Sequence, residues 1–311
     1  MMNYMSHASK MTGCRLLVVR AMLPMRALLI MSAMFSLCTV SSASAASNFN
    51  TATSIDTPDS TSSVKTTIEF PLQGVTLEYK ADVRLLQVLD DANASFNVNT
   101  NGSIGYFPLS AQLFDKTNTK TIEIKKRNVF NQLDALAVEQ PEAKLVKQQL
   151  ASFQYLNRIF IELDRNAVIS QSNKNPLLVT RSNLGNSLNV KESSASQTQS
   201  FSLYLPQRPT SIQLMGAMKE SVTMSLIEHG TLNDYLDALP NGFIGESADK
   251  SVAYVIQPDG VVQTISYAYW NAQPVYLAPG AIVFMAFYSL PSEYSTLNQD
   301  IVDLLRHKVG L

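Results

Sequence analysis

The stretch Ser251–Tyr288, SVAYVIQPDGVVQTISYAYWNAQPVYLAPGAIVFMAFY, decides the fold because two marked turns separate its apolar runs. Proline presets the backbone for a turn and glycine has no Cβ strain, so Pro258-Asp259-Gly260 predicts a hairpin and Pro279-Gly280 a second turn. From Thr264 to Trp270 apolar and polar residues alternate, which is typical of a half-buried strand. We expect Trp270, the only tryptophan, to pack in the core rather than to stack on a sugar ring.

The folded part of the chain is predicted to begin with a unit of two strands and one helix. Thr66–Phe70 and Val75–Tyr79 flank a turn and predict a hairpin. Asp82 precedes apolar residues spaced along one helix face, so we expect it to cap a helix there. Tyr106–Leu109 predicts the strand that follows.

The same unit returns about 145 residues later. Ser211–Met215 and Ser221–Ile227 predict a hairpin, and Thr231 is placed to cap the next helix. The repeat indicates an α+β fold with two domains of one design, each a small mixed sheet that grips one helix.

An insertion of about residues 119–156 interrupts the first copy. Its apolar residues recur at helical spacing on both sides of Pro141, so two packed helices are expected. Asn157–Asp164 then alternates as a strand, and Phe201–Leu205 follows the polar stretch Ser182–Gln199, which we interpret as a loop.

The N-terminus has the layout of a secretory signal peptide, predicted over residues 1–45. This segment has four basic residues and no acidic residue, then the apolar run Ala27–Val40 and an A-x-A site at Ala43-Ser44-Ala45. The apolar run is shorter than the ~20 residues that span a membrane, so cleavage is expected. Residues 46–65 are dominated by Ser, Thr, Asn and Asp and are expected to form a mobile leader.

Cysteine use and charge exclude several function classes. Both cysteines, Cys14 and Cys38, leave with the signal peptide, so no disulfide, thiolate metal site or cysteine nucleophile is expected afterwards. The segment carries four of the 24 basic residues and none of the 25 acidic ones, so its removal leaves a net charge near −5. Nucleic acid is therefore not an expected partner, and a bacterial envelope is the expected location.

Short motifs along the chain resemble the GfcC-like capsule biosynthesis family of Gram-negative bacteria. The motifs are Asn175-Pro176-Leu177-Leu178, Leu203–Pro209 leading to Gly216, Tyr269-Trp270-Asn271, Leu277-Ala278-Pro279-Gly280, and Leu290-Pro291 followed by Leu297–Leu305. Their order and spacing extend the resemblance over the chain from about residue 66.

This resemblance implies a periplasmic protein encoded with group 4 capsule or O-antigen capsule machinery. It implies two β-grasp domains, assigned to residues 66–209 and 210–290, with the helical insertion in the first and an amphipathic C-terminal helix over residues 291–311. Because the family's domains resemble parts of the outer-membrane polysaccharide export protein, that machinery or other capsule proteins are the expected partners. The family's best-known polar feature is a cleft arginine, which matches Arg158.

The candidate ligand-binding or partner-binding residues are Arg158, Glu162, Asp164 and Arg208. On the predicted strand the first three share one face, where Arg158 can bind a carboxylate or phosphate of an acidic sugar or form an ion pair with Glu162, Asp164 or a residue of the insertion. The ion pair is the preferred interpretation. Arg208 is a weaker candidate, expected to tie the link between the domains.

The C-terminal helix carries a stripe formed by Leu297, Ile301, Leu304 and Leu305, spaced i, i+4, i+7 and i+8. The stripe can pack on its own domain or dock on another protein, and we expect docking. Few basic residues accompany it, so a protein partner is favoured over lipid.

These features favour a non-catalytic periplasmic accessory protein that binds partner proteins or polysaccharide in capsule assembly or export. No catalytic residue, metal site or cofactor is expected, because only His229 and His307 remain after cleavage and neither has neighbours at ligand spacing. The alternatives are a polysaccharide-modifying enzyme that uses Arg158 with Glu162 and Asp164, or a carbohydrate-binding module.

Overall fold

The computed structural model describes residues 64–99, 105–179 and 198–310. Contacts divide the chain into Met1–Pro58 and Asp59–Leu311, and all described residues belong to the second unit. The predicted signal peptide, nearly all of the predicted leader and most of the predicted loop Ser182–Gln199 lie outside the described residues.

The first sheet consists of β1 (Thr66–Phe70), β2 (Val75–Tyr79), β3 (Gln112–Asp115), β4 (Asn157–Ile159) and β5 (Gln199–Tyr204). Its strand order is β2-β1-β5-β3-β4. β1 runs parallel to β5, whereas the β1–β2, β3–β5 and β3–β4 pairs are antiparallel. The predicted β1–β2 hairpin is confirmed.

The second sheet consists of β6 (Ser211–Gly216), β7 (Val222–Ser225), β8 (Ala248–Ile256), β9 (Val262–Ser266) and β10 (Ile282–Phe287). Its order, β7-β6-β10-β8-β9, repeats that of the first sheet strand for strand, with β6 and β10 as the parallel pair. Both predicted hairpins are confirmed, β6 with β7 and β8 with β9 around Pro258-Asp259-Gly260.

Six α-helices lie within the described residues: α1 (Leu85–Asn99), α2 (Lys120–Leu136), α3 (Glu142–Ala151), α4 (Arg165–Ser170), α5 (Leu232–Asp237) and α6 (Leu297–Leu305). The mixed α+β class and the two helices of the insertion are therefore confirmed, whereas the predicted domain boundaries stay a prediction. Over the described ranges, no helix has both the length and the apolar character needed to cross a membrane.

The N-terminus of α1 is capped from a distant segment, so the prediction that Asp82 caps it is wrong. The backbone N–H of Leu85 donates to the carbonyl oxygen of Pro176 at 3.0 Å, and that of Leu86 donates to Asn175 Oδ1 at 3.0 Å. The Asp82 carboxylate instead accepts from Lys65 Nζ at 2.7 Å. These partners satisfy donors that the first turn of a helix leaves unpaired.

Two strands of the first sheet are placed differently from the prediction. Tyr106–Leu109 forms no strand, because Pro108–Ser110 is a 3-10 helix and the strand begins at Gln112. β4 ends at Ile159 rather than at Asp164, since β3 pairs Leu113 with Ile159 and begins one residue earlier. Only Gln112 of β3 therefore remains as a pairing partner for the residues after Ile159.

Trp270 lies on the surface, so the prediction that it packs in the core is wrong. The strand ends at Ser266, and a turn closes where the Asn271 N–H donates to the Ala268 carbonyl oxygen at 3.0 Å. Tyr269 and Trp270 occupy the two central positions of this turn and are 100% and 77% exposed. The backbone at these two residues is a turn and not a strand, so the alternation predicted from Thr264 to Trp270 does not decide which way their side chains point.

The helices of the insertion cover the second sheet rather than the first. One apolar cluster joins residues of α2, α3 and α6 to one face of the second sheet, and another places α5 on the opposite face. The Gln149 side chain on α3 forms two hydrogen bonds with the backbone of Gly216 at the end of β6. Its Oε1 accepts from Gly216 N at 2.9 Å, and its Nε2 donates to Gly216 O at 3.2 Å. The first sheet packs against α1 and α4.

The apolar stripe of α6 is part of this core. Leu297, Ile301, Leu304 and Leu305 are all buried, in one cluster with residues of α2 and the second sheet. Asn298 also exchanges two hydrogen bonds with the backbone of Phe287, at 2.9 and 3.0 Å. The expectation that these four leucine and isoleucine side chains dock on a partner is therefore wrong, since the chain itself covers them.

Candidate functional site

Arg158 is a buried residue of β4 that joins the first sheet to the turn between β8 and β9. It is only 7% exposed, and its Nη2 donates to the carbonyl oxygen of Pro258 at 2.6 Å and more weakly to that of Ala111 at 3.4 Å. Both acceptors are backbone oxygens. The expected ion pair of Arg158 with Glu162, Asp164 or a residue of the insertion is thus wrong, since Arg158 forms no ion pair within the described ranges.

The guanidinium of Arg158 keeps donors for a further acceptor. Of the five N–H donors that arginine carries, those of Nε and Nη1 have no acceptor among the described residues. Burial is the main cause that lowers the pKa of Arg158, to about 10, with Arg306 adding to the effect and Asp259 opposing it. Arg158 therefore remains a cation at neutral pH.

The Phe160 ring contacts two arginines. The guanidinium carbons of Arg158 and Arg306 lie 5.4 and 4.3 Å from the centre of its ring. Arg306 Nε also donates to the carbonyl oxygen of Gly260 at 2.8 Å. The stack holds both cations beside the same turn, although like charges repel one another.

His307 belongs to this group, and sequence reasoning did not identify it as a site residue. Its Nδ1 accepts the backbone N–H of Arg158 at 3.0 Å, and its ring packs edge-on against Phe160 at 5.6 Å. Burial lowers the pKa of His307 to about 4, so the ring is neutral at pH 7. No local sequence signal indicates this contact, because the two partners are 149 positions apart.

A cleft of about 350 Å³ opens beside Arg158. Its other walls include Leu109, Phe160, Glu162 and Asp259. Such a space, with one buried cation and an aromatic wall, suits a carboxylate or phosphate carried on a small ring.

Glu162 and Asp164 each have hydrogen-bond partners of their own. Glu162 Oε2 accepts from Lys174 Nζ at 3.1 Å, and its Oε1 accepts from the Asp164 N–H at 3.1 Å. The backbone hydrogen bond from Asp164 and, less strongly, Lys174 hold the pKa of Glu162 below its usual range. Asp164 caps α4 by accepting from the Asn166 N–H at 2.9 Å.

Arg208 lies away from Arg158, in the segment that links β5 to β6. Its guanidinium stands 5.5 Å from the centre of the Phe107 ring, and it lines a separate cleft of about 740 Å³. The structure therefore brings Arg158 and Glu162 to one cleft and places Asp164 at the start of α4 and Arg208 at another cleft. Within the described ranges, no three His, Cys, Asp or Glu side chains gather in a way that could hold a metal ion.

Two family models and a relative match the chain. A family model described as "Capsule biosynthesis GfcC, N-terminal" matches residues 64–184, and one described as "Capsule biosynthesis GfcC C-terminal" matches residues 220–310. YjbG of Escherichia coli (strain K12), described as an uncharacterized protein, is 25% identical over 178 residues. That match covers 57% of this chain and 64% of YjbG, which is less than two thirds of the relative's length.

Proposed function

The chain belongs to the GfcC capsule biosynthesis family, and from this we propose that it is a non-catalytic accessory protein of the periplasm. Its task is to bind polysaccharide during the assembly or export of a capsule or exopolysaccharide. The outer-membrane export machinery or other capsule proteins are its proposed partners. The predicted signal peptide supports the periplasmic location.

One observation carries the binding role. Arg158 is buried at the wall of a cleft, it forms no ion pair with a carboxylate among the described residues, and two of its nitrogen atoms keep donors without an acceptor there. A desolvated guanidinium binds a carboxylate or phosphate in a planar, paired geometry. We therefore assign this cleft to an acidic group of the polysaccharide.

The arrangement of the carboxylates favours an accessory protein over an enzyme. Glu162 is paired with Lys174, and Asp164 is used as a helix cap. Glycoside hydrolysis needs one carboxylic acid with a raised pKa, whereas the pKa of Glu162 is lowered.

We also assign both sheets to the β-grasp class. The support is their shared order, in which the first and last strands of each unit lie side by side and parallel at the centre. A single helix follows the first hairpin in each unit, which the resemblance to the family leads one to expect.

A substitution that fills the cleft tests the function without removing Arg158. Leu109 is 37% exposed on the rim, so Leu109→Trp should block entry while the hydrogen bonds of Arg158 remain. Val138→Trp is the control, because Val138 is 87% exposed and does not line this cleft. The host strain carrying each variant would be assayed for surface polysaccharide and for the amount of the protein.

We expect Leu109→Trp to lower surface polysaccharide at normal protein level and Val138→Trp to leave it unchanged. Equal polysaccharide in both strains would overturn the assignment of the cleft. The purified protein would also be incubated with polysaccharide extracted from that strain. We expect the protein to bind the polymer without changing its chain length. A shortened polymer would show that the protein is an enzyme.

A further inference from the structure

The larger cleft, of about 740 Å³, lies between the first sheet and the second. Arg208 borders it from the linker between the sheets, and Lys308, which follows α6, borders it from the C-terminal segment. Its volume falls within the range of ~300–1,000 Å³ that is usual for small-molecule sites. It is separate from the Arg158 cleft, with no lining residue in common.

The described residues that line this cleft carry only positive charge. Among them, Arg208 and Lys308 are charged at neutral pH, and none is an Asp or Glu. Neither cation forms an ion pair with a carboxylate in the described part of the chain. An anion that enters therefore meets attraction without a competing carboxylate.

Lys308 is the more unusual of the two cations because it is buried. It is 7% exposed, its Nζ donates to the Gly310 carbonyl oxygen at 3.3 Å, and it lies 4.9 Å from the centre of the Phe153 ring. Burial alone lowers its pKa, to about 8. A buried ammonium without a counterion is costly to the fold, so its place at a cleft points to an anion supplied by a ligand.

The remaining walls carry groups suited to a sugar. Ser110 Oγ is buried and has no hydrogen-bond partner among the described residues. Gln112 fixes the segment that carries Lys308, accepting from Gly310 N at 3.0 Å and donating to Lys308 O at 3.5 Å. Phe153 and Tyr204 add aromatic surface, which can contact the apolar face of a sugar ring while a hydroxyl pairs with Ser110.

We propose that this cleft is a second binding site, beyond the Arg158 cleft, for an acidic saccharide segment whose carboxylate or phosphate pairs with Lys308 and Arg208. The acidic group of the ligand acts as the counterion of the buried Lys308 ammonium. Two separate sites on one protein would let it hold a polymer chain at two points, which raises the effective affinity for a polymer.

Titration calorimetry with two matched trisaccharides tests this site. The probes are α-1,4-linked trigalacturonate and neutral α-1,4-linked galactotriose, which differ in their carboxylates. Lys308→Met removes the charge and keeps the length of the side chain, and Lys144→Met is the control because Lys144 is exposed and does not line the cleft. Arg208→Gln tests the second cation.

We expect the wild type to prefer trigalacturonate, and Lys308→Met to weaken its binding by about tenfold or more, which corresponds to loss of a buried charge-assisted contact. Arg208→Gln should weaken it by roughly threefold, since Arg208 is exposed. Lys144→Met should leave this binding unchanged. Repeating the titrations in the Leu109→Trp background, where the Arg158 cleft is blocked, separates this site from that cleft.

Equal binding of trigalacturonate and galactotriose, or equal binding by wild type and Lys308→Met, would overturn the proposal. Inorganic phosphate is a third probe, and phosphate that binds as tightly as trigalacturonate would show a simple anion site without a saccharide role. Circular dichroism checks that each variant is folded. If Lys308→Met does not fold, unchanged trigalacturonate binding by Arg208→Gln overturns the proposal by itself.

Discussion

Arg158 Nη2 and the carbonyl oxygen of Pro258 are joined by a 2.6 Å hydrogen bond across 100 positions of sequence. The bond ties β4 of the first sheet to the turn between β8 and β9 of the second. Arg158 therefore has a structural role in addition to its place in the cleft. A substitution of Arg158 cannot separate binding from folding, which is why the cleft is better tested from its rim.

Replacement of Arg158 by alanine should destabilise the protein. The substitution leaves the Pro258 carbonyl oxygen without its donor, and a buried polar group that loses its partner costs about 1–3 kcal/mol. Arg208→Ala is the matched control, since its guanidinium makes no hydrogen bond within the described ranges. Urea unfolding monitored by circular dichroism would measure both, and equal midpoints would show that Arg158 is not a structural link.

Gly260 provides a second test of the same junction. Its φ is +89°, and a Cβ at this position would collide with the Phe160 ring. Gly74 is a matched control because it also has a positive φ, +65°, but a Cβ there would meet no atom within 4 Å.

Gly74→Ala should cost about 1 kcal/mol of unfolding free energy, from backbone strain alone. Gly260→Ala should cost more, roughly 2–4 kcal/mol, because the Phe160 ring must also move away from the two arginines that it contacts. The difference between the two variants, measured by urea unfolding, isolates the contact. Equal costs would mean that Phe160 moves without penalty.

Local patterns predicted the hairpins well, and long-range contacts explain most of the errors. A turn such as Pro258-Asp259-Gly260 depends on its own residues, so the sequence predicts it directly. The partners of Arg158 and the cap of α1 depend on segments about 90 to 150 positions away, which periodicity does not reveal. The α6 stripe was visible, but the cover over it comes from the insertion and the second sheet.

Trp270 shows a different kind of error. Its assignment to the core rested on the usual burial of aromatic side chains in a sheet, yet strand pairing with β8 ends where Ser266 meets Val252. After that point the chain turns and the pattern has no structural meaning. A strand is defined by its partner as well as by its own residues, and the partner was not visible in the sequence.

The exposure of Trp270 makes it an intrinsic probe. As the only tryptophan, it should fluoresce with the red-shifted emission of indole in water, and Trp270→Ala should change the unfolding free energy by less than about 1 kcal/mol. Leu133→Ala is the contrast, because Leu133 is fully buried and its truncation should cost about 2–5 kcal/mol. A blue-shifted emission would contradict the exposed turn.

His307 gives the protein a specific sensitivity to acid. Its ring is neutral in the folded protein, with a pKa lowered from 6.5 to about 4, mainly by burial and then by Lys125. The unfolded chain therefore binds more protons than the folded one between those values, so stability falls as the pH drops from about 6.5 to 4. Protonation also turns Nδ1 into a donor and breaks its hydrogen bond from the Arg158 backbone.

His307→Asn should flatten this pH dependence, because an asparagine Oδ1 can accept the Arg158 N–H and does not titrate. The difference in unfolding free energy between pH 7 and pH 4 should be smaller in His307→Asn than in the wild type, by on the order of 1–3 kcal/mol, since one pKa unit corresponds to about 1.4 kcal/mol. His229→Asn is the control, as the side chain of His229 is 87% exposed. Urea unfolding of the three proteins from pH 4 to 7 measures the slopes, and a slope for His307→Asn equal to that of the wild type would exclude His307 as the source.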